Sequence, residues 1–143
     1  MSDLHDTDVL LWSEQQAELL RRRAAGELVD EDALDWSNLA EEIADVGRSE
    51  WRAVETHLVQ AFLRDLEAEA WPLSREVPHW RAEARRQRDE ARAAFTPSMA
   101  QRIDVGALYR RALRAMPETM DETPPLPVPN VCPVTLAELL ADE

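Results

Sequence analysis

Lysine is missing from this chain; all 16 of its basic side chains are arginine, set against 29 aspartates and glutamates. The formal charge of −13 argues against broad binding to nucleic acid or to an anionic membrane, since a phosphate surface needs positive charge opposite it. The preference for Arg, Ala and Leu is typical of a GC-rich bacterial genome. Cysteine occurs once, as Cys132, which excludes an intrachain disulfide. With no nearby His or second Cys, it reads as a structural thiol rather than a nucleophile. Glycine is scarce (Gly26, Gly47 and Gly106), and no phosphate loop or dinucleotide fingerprint is present. The histidines His5, His57 and His79 are far apart and lack the Glu-x2-His spacing of a di-iron bundle. Ser49 stands in no Gly-x-Ser-x-Gly elbow. No apolar run reaches membrane length.

A chain of 143 residues suits a single domain, which buries roughly 70% of the surface its unfolded form exposes. The N-terminus is acidic and polar, unlike a targeting peptide, so a soluble cytoplasmic protein is the expectation. Charge is unevenly spread. Residues 27 to 45 hold eight carboxylates and no arginine, whereas residues 81 to 92 hold Arg81, Arg85, Arg86, Arg88 and Arg92. Two solvated helix faces that attract each other account for this pattern; an acidic patch that recruits a basic partner is the alternative.

No strand pattern and no repeat is visible, and the periodicity predicts an all-α fold: an antiparallel bundle of about four main helices plus a short C-terminal one. The first helix runs from about Asp6 to Ala25, capped by Asp6 or Thr7 and ended by Gly26. The second starts after Asp35 and runs towards Trp71 and Pro72. Trp36, Leu39, Ile43, Val46, Val54, Leu58 and Ala61 recur at spacings of three and four along it, making one apolar stripe. A third helix begins near Pro78 and reaches Phe95, and Thr96-Pro97 reads as the start of a fourth that ends before Pro117. Residues 118 to 134 are a proline-rich connector that wraps its own domain, with Leu126, Val131 and Leu139 expected at least partly buried. Thr135 and Glu138 form a capping box for the last short helix.

The chain resembles the bacterial domain of unknown function family 29. The resemblance rests on Asp6-Thr7-Asp8 with Leu11-Trp12, on Asp35-Trp36 through Glu41-Glu42-Ile43 to Gly47-Arg48-Ser49-Glu50, and on Trp80-Arg81 with Arg86-Gln87-Arg88. It continues through Thr96-Pro97-Ser98, Tyr109, Ala112, Cys132-Pro133 and Thr135-Leu136. It covers nearly the whole chain and implies an all-helical fold with no established activity. Members often carry a His-Leu-Leu-Lys run late in the second helix, where this chain has Arg64-Asp65-Leu66-Glu67. If that histidine serves a metal in relatives, this chain has lost it.

One polar position stands out. Glu50 projects between Ile43, Val46, Val54 and His57 on the helical stripe, so its carboxylate is expected to be largely buried and partnered. Glu50, His57, Arg92 and Arg102 make the candidate buried polar site. Asp6, Asp8 and Glu50 are the weak candidates for a divalent cation, Mg²⁺ or Ca²⁺ rather than zinc, and no other cofactor is expected. Asp35, Glu41, Glu42, Asp45, Trp51 and Trp71 make the possible partner surface. The favoured function is a non-enzymatic helical interaction domain that binds protein or itself, with a homodimer the favoured state. The alternative is a metal-assisted hydrolase or other small-ligand site on Asp6, Asp8 and Glu50.

Overall fold

The structure is a computed structural model and describes residues 4–141. It is all-α. Two helices open the chain, α1 (Leu4–Thr7) and α2 (Val9–Ala24). The long α3 (Trp36–Ala70) and then α4 (Val77–Ala94) follow, and α5 (Val105–Ala115) and α6 (Leu136–Leu140) complete the chain. Short 3-10 turns lie at Glu31–Ala33 and Pro97–Met99. No described helix is long and apolar enough to cross a membrane. The backbone divides into two compact units, one ending at Arg48 and the other beginning at Ser49, with α3 running through the boundary.

In the first unit the expected opening helix is broken at Asp8. Its carboxylate accepts from the Leu11 N–H at 3.0 Å, so Asp8, not Asp6 or Thr7, caps α2. The other end follows expectation. Gly26 takes φ +86°, the Glu27 N–H reaches the Arg22 carbonyl and the Gly26 N–H reaches that of Arg23, which is a Schellman ending. The return loop is pinned to α2 by buried Gln16. Its amide oxygen accepts from the Asp35 N–H at 2.8 Å, and its NH2 donates to the Ala33 carbonyl at 3.1 Å. Among the described residues of this unit, Trp12 and Leu34 are the buried apolar ones.

The second unit holds the main core. Val54, Leu58, Phe62 and Leu66 of α3 pack in one cluster with Ala91 of α4, Leu108, Tyr109 and Ala112 of α5, and Leu139 of α6. A second cluster joins Ala68, Ala70 and Trp71 to Trp80. The fourth main helix starts later than Thr96-Pro97 suggests. That pair opens only a 3-10 turn, and Asp104 caps α5 by accepting from the Ala107 N–H at 3.1 Å. Met99 and Ile103, ahead of α5, are buried.

The connector is tied down through its backbone rather than through the side chains the sequence suggests. Leu126 and Val131 are exposed, at 53% and 79%, while Leu139 is buried. The Leu126 N–H donates to the Ala70 carbonyl at the end of α3 at 2.9 Å. Trp71 Nε1 donates to the Thr123 carbonyl at 2.9 Å, and Tyr109 Oη to that of Pro129 at 2.6 Å. Val128 is the connector residue that packs on both apolar clusters. The last helix has its capping box, with the Glu138 N–H donating to Thr135 Oγ1 at 3.2 Å.

Candidate functional site

The apolar stripe of α3 changes character along its length. Val54 and Leu58 are fully enclosed, and Ala61 nearly so. Trp36, Ile43 and Val46, earlier on the same stripe, are 50%, 72% and 65% exposed. Leu39 is half-buried. Residues three and four apart are neighbours on a helix surface, so Trp36, Leu39, Ile43 and Val46 form a continuous strip. Glu42 borders it, while Glu41 and Asp45 project from the other side of α3. Arg48 pairs with Asp45 and lies 3.6 Å from Glu41, and these carboxylates hold its guanidinium pKa above the ordinary value.

Several charges of this first unit have a structural partner close by. His5 Nε2 lies 2.7 Å from Glu42 Oε1, and that hydrogen bond raises the imidazole pKa above its ordinary value. Asp35 accepts from Asn38 Nδ2 at 2.8 Å and from Trp12 Nε1 at 3.0 Å. Those bonds, Asn38's foremost, hold its carboxyl below the usual range. Arg23 pairs with Glu31 and lies over the Trp36 ring, 5.9 Å from its centroid.

The expected buried polar site is not assembled. Glu50 is exposed, as are Ile43 and Val46 before it on the stripe. Half-buried His57 engages Gln87, with 2.7 Å between Nδ1 and Oε1. Arg92 ties down α6 instead, donating to the carbonyls of Leu140 and Ala141 at 3.0 Å each and to Asp89 at 2.9 Å. A cation at those last carbonyls also suits the helix dipole. Arg102 is exposed and lies over the ring of half-buried Trp51 at 5.8 Å. Among the described residues no group of three His, Cys, Asp or Glu side chains is placed to hold a metal ion. Asp6 is within 3.3 Å of His5 Nδ1, and Asp8 caps α2. On the possible partner surface, Glu41 is exposed, Asp35, Glu42, Asp45 and Trp51 are half-buried, and Trp71 is 4% exposed. Trp71 is therefore a core residue and not a surface anchor; the most exposed tryptophan is Trp36, which periodicity alone assigned to the core.

Of the arginines of residues 81 to 92, Arg81, Arg86, Arg88 and Arg92 find partners within their own unit. Arg81 and Arg88 both reach Asp65, at 2.8 and 2.7 Å. Arg86 pairs with Glu83 at 2.6 Å, which lowers the Glu83 carboxyl to about 2. Positions 64 to 67 thus carry ion pairs here, Asp65 to α4 and Arg64 to Glu67 at 2.8 Å.

A profile of the domain of unknown function DUF29 matches residues 4–143. The chain belongs to the DUF29 family. A crystal structure from Rhodospirillum rubrum, described as an alpha-helical protein of unknown function, is similar at 28% identity with a TM-score of 0.70. The match covers 100% of this DUF29 chain and 92% of that one. No curated protein matches.

Proposed function

We infer that the chain is a non-enzymatic helical interaction module and that a partner protein docks on the strip of Trp36, Leu39, Ile43 and Val46. The exposure of Ile43 and Val46, at 72% and 65%, carries this reading. Scattered apolar residues on a surface are ordinary, but a strip four residues long on one helix is a favourable surface to cover. The neighbouring chemistry defines the occupant. Glu42 flanks the strip, in a stretch (residues 27 to 45) that holds eight carboxylates and no arginine, and an amphipathic helix with arginine or lysine beside its apolar face complements both features.

A second copy of the chain is the other reading, favoured by the general prevalence of C₂ dimers. It sets carboxylates near carboxylates, so it is the weaker of the two. The enzymatic alternative on Asp6, Asp8 and Glu50 has less support, since His5 and the α2 backbone already engage Asp6 and Asp8.

Sedimentation equilibrium separates these readings. It is run on the chain and on Ile43→Ser/Val46→Ser, each alone and with a synthetic Leu/Arg amphipathic peptide of about 15 residues. A one-to-one complex with the chain but not with the variant supports the module. A dimer of the chain alone, lost in the variant, assigns the strip to a second copy. No association of either kind rejects the proposal.

A further inference from the structure

Within the second unit a cleft of about 470 Å³ opens between α4, the end of α3 and α6. Its floor is apolar, made by Phe62, Leu66 and Leu139 with the ring of Tyr109. Its wall is a row of arginines. Arg81, Arg85 and Arg88 are spaced by four and three residues, which puts all three on one face of α4.

These guanidiniums are not equivalent. Asp65 takes both outer ones, Arg81 at 2.8 Å and Arg88 at 2.7 Å. Arg85, between them, makes no hydrogen bond or ion pair among the described residues. It also borders an adjoining cleft of about 270 Å³ that shares Arg88, Glu138 and Leu139. Arg85 is thus an available fork of donors at the rim of an apolar floor, steadied on either side by ion-paired neighbours.

The carboxylates around it set the charge of a suitable ligand. Asp65, Glu69 and Glu138 line the cleft with Arg81, Arg85 and Arg88, so the local charge balances. A polyphosphate would meet three carboxylates, whereas a single carboxylate needs only Arg85. Guanidinium and carboxylate match in two parallel hydrogen bonds, and an aromatic or short aliphatic body fits the floor.

We propose that this cleft is a binding site for small monocarboxylates with an apolar body, held by Arg85 over Phe62, Leu66, Tyr109 and Leu139. It is independent of the strip on α3 and stands or falls separately. The test is a ¹⁵N-detected NMR titration of the full chain with phenylacetate, acetate and inorganic phosphate, read at the Arg85 Nε–Hε and at the amides of Leu66, Tyr109 and Leu139. Phenylacetate should give saturable shifts at these groups. Acetate, which lacks the apolar body, should bind at least about tenfold more weakly, and Arg85→Gln should weaken phenylacetate by a similar factor. Arg85 is exposed, so the variant should keep the wild-type melting temperature. Absent saturation with phenylacetate, or equal shifts in a folded Arg85→Gln protein, overturns the site. Phosphate binding as tightly as phenylacetate overturns the assignment to a monocarboxylate.

Discussion

His5 Nε2 stands 2.7 Å from Glu42 Oε1, and the same imidazole packs edge-on against Trp12 with 4.6 Å between ring centroids. One side chain from the short α1 thereby holds both α2 and the second turn of α3. Because the Glu42 hydrogen bond favours the charged ring, the folded pKa lies above the 6.5 of a free histidine. The resulting stabilisation is fully present below that unfolded value and is lost as pH rises through the folded one. Denaturant melts should therefore show the chain less stable at about pH 8.5 than at about pH 5.5, by a margin that His5→Gln reduces. An NMR titration of the His5 ring should place its midpoint above 6.5. A midpoint at or below that value would remove the pair from the account.

Tyr109 is 2% exposed and its hydroxyl donates to the Pro129 carbonyl at 2.6 Å. Burial pushes the phenol pKa up. Tyr109→Phe keeps the ring against Phe62 and removes one hydrogen bond to the connector, at a cost of about 1 kcal/mol. Limited proteolysis should cut the variant faster between residues 118 and 134. An unchanged cleavage rate would mean that the bond does not hold the connector in place.

Asp121 and Glu122 turn the chain between Met120 and Thr123, whose backbones exchange two hydrogen bonds of 3.0 and 2.9 Å. Both central residues have positive φ, 49° and 64°, a conformation costly for a side chain with a Cβ. Glycine relieves that cost but loses more entropy on folding, so Glu122→Gly should stabilise by roughly 0.5–1 kcal/mol net. A loss of stability in thermal melts would show that the turn is not strained.

Glu50→Gln should leave stability unchanged within about 0.5 kcal/mol, since the carboxylate is exposed and makes no hydrogen bond or ion pair among the described residues. A loss of several kcal/mol in urea melts would return Glu50 to a buried, partnered setting.

Glu50 also marks where the sequence stopped being informative. Helix ends were legible because each depends on a few local residues: Gly26 after α2, Asp35 and Pro72 around α3, and the Thr135–Glu138 box before α6. Chemistry of that kind acts within one turn. The stripe on α3 was legible as a periodic pattern, but periodicity says that a face is apolar and not what covers it. Val54 and Leu58 found cover within the chain, whereas Ile43 and Val46 did not. Trp71 reversed in the other direction, because the Thr123 carbonyl that accepts from its indole is brought there by a connector 52 residues further on. The start of α5 was misplaced because Thr96-Pro97 and Asp104 both carry helix-start chemistry, and local pattern alone does not rank them. The arginine cleft had one sequence signal, the spacing of Arg81, Arg85 and Arg88; its apolar floor comes from three other helices and lies beyond local pattern.

The most direct measurement of the account follows Trp36, the most exposed tryptophan, on the strip itself. Tryptophan emission is recorded while the Leu/Arg amphipathic peptide is added to the chain, to Ile43→Ser/Val46→Ser, and to Trp36→Phe as a control for the other indoles. A saturable blue shift is expected in the unmodified chain, absent from both variants, with no shift for a Leu/Glu peptide of the same pattern. An unchanged spectrum with the basic peptide, or the same shift in the double variant, would contradict the assignment of this strip as an interaction surface.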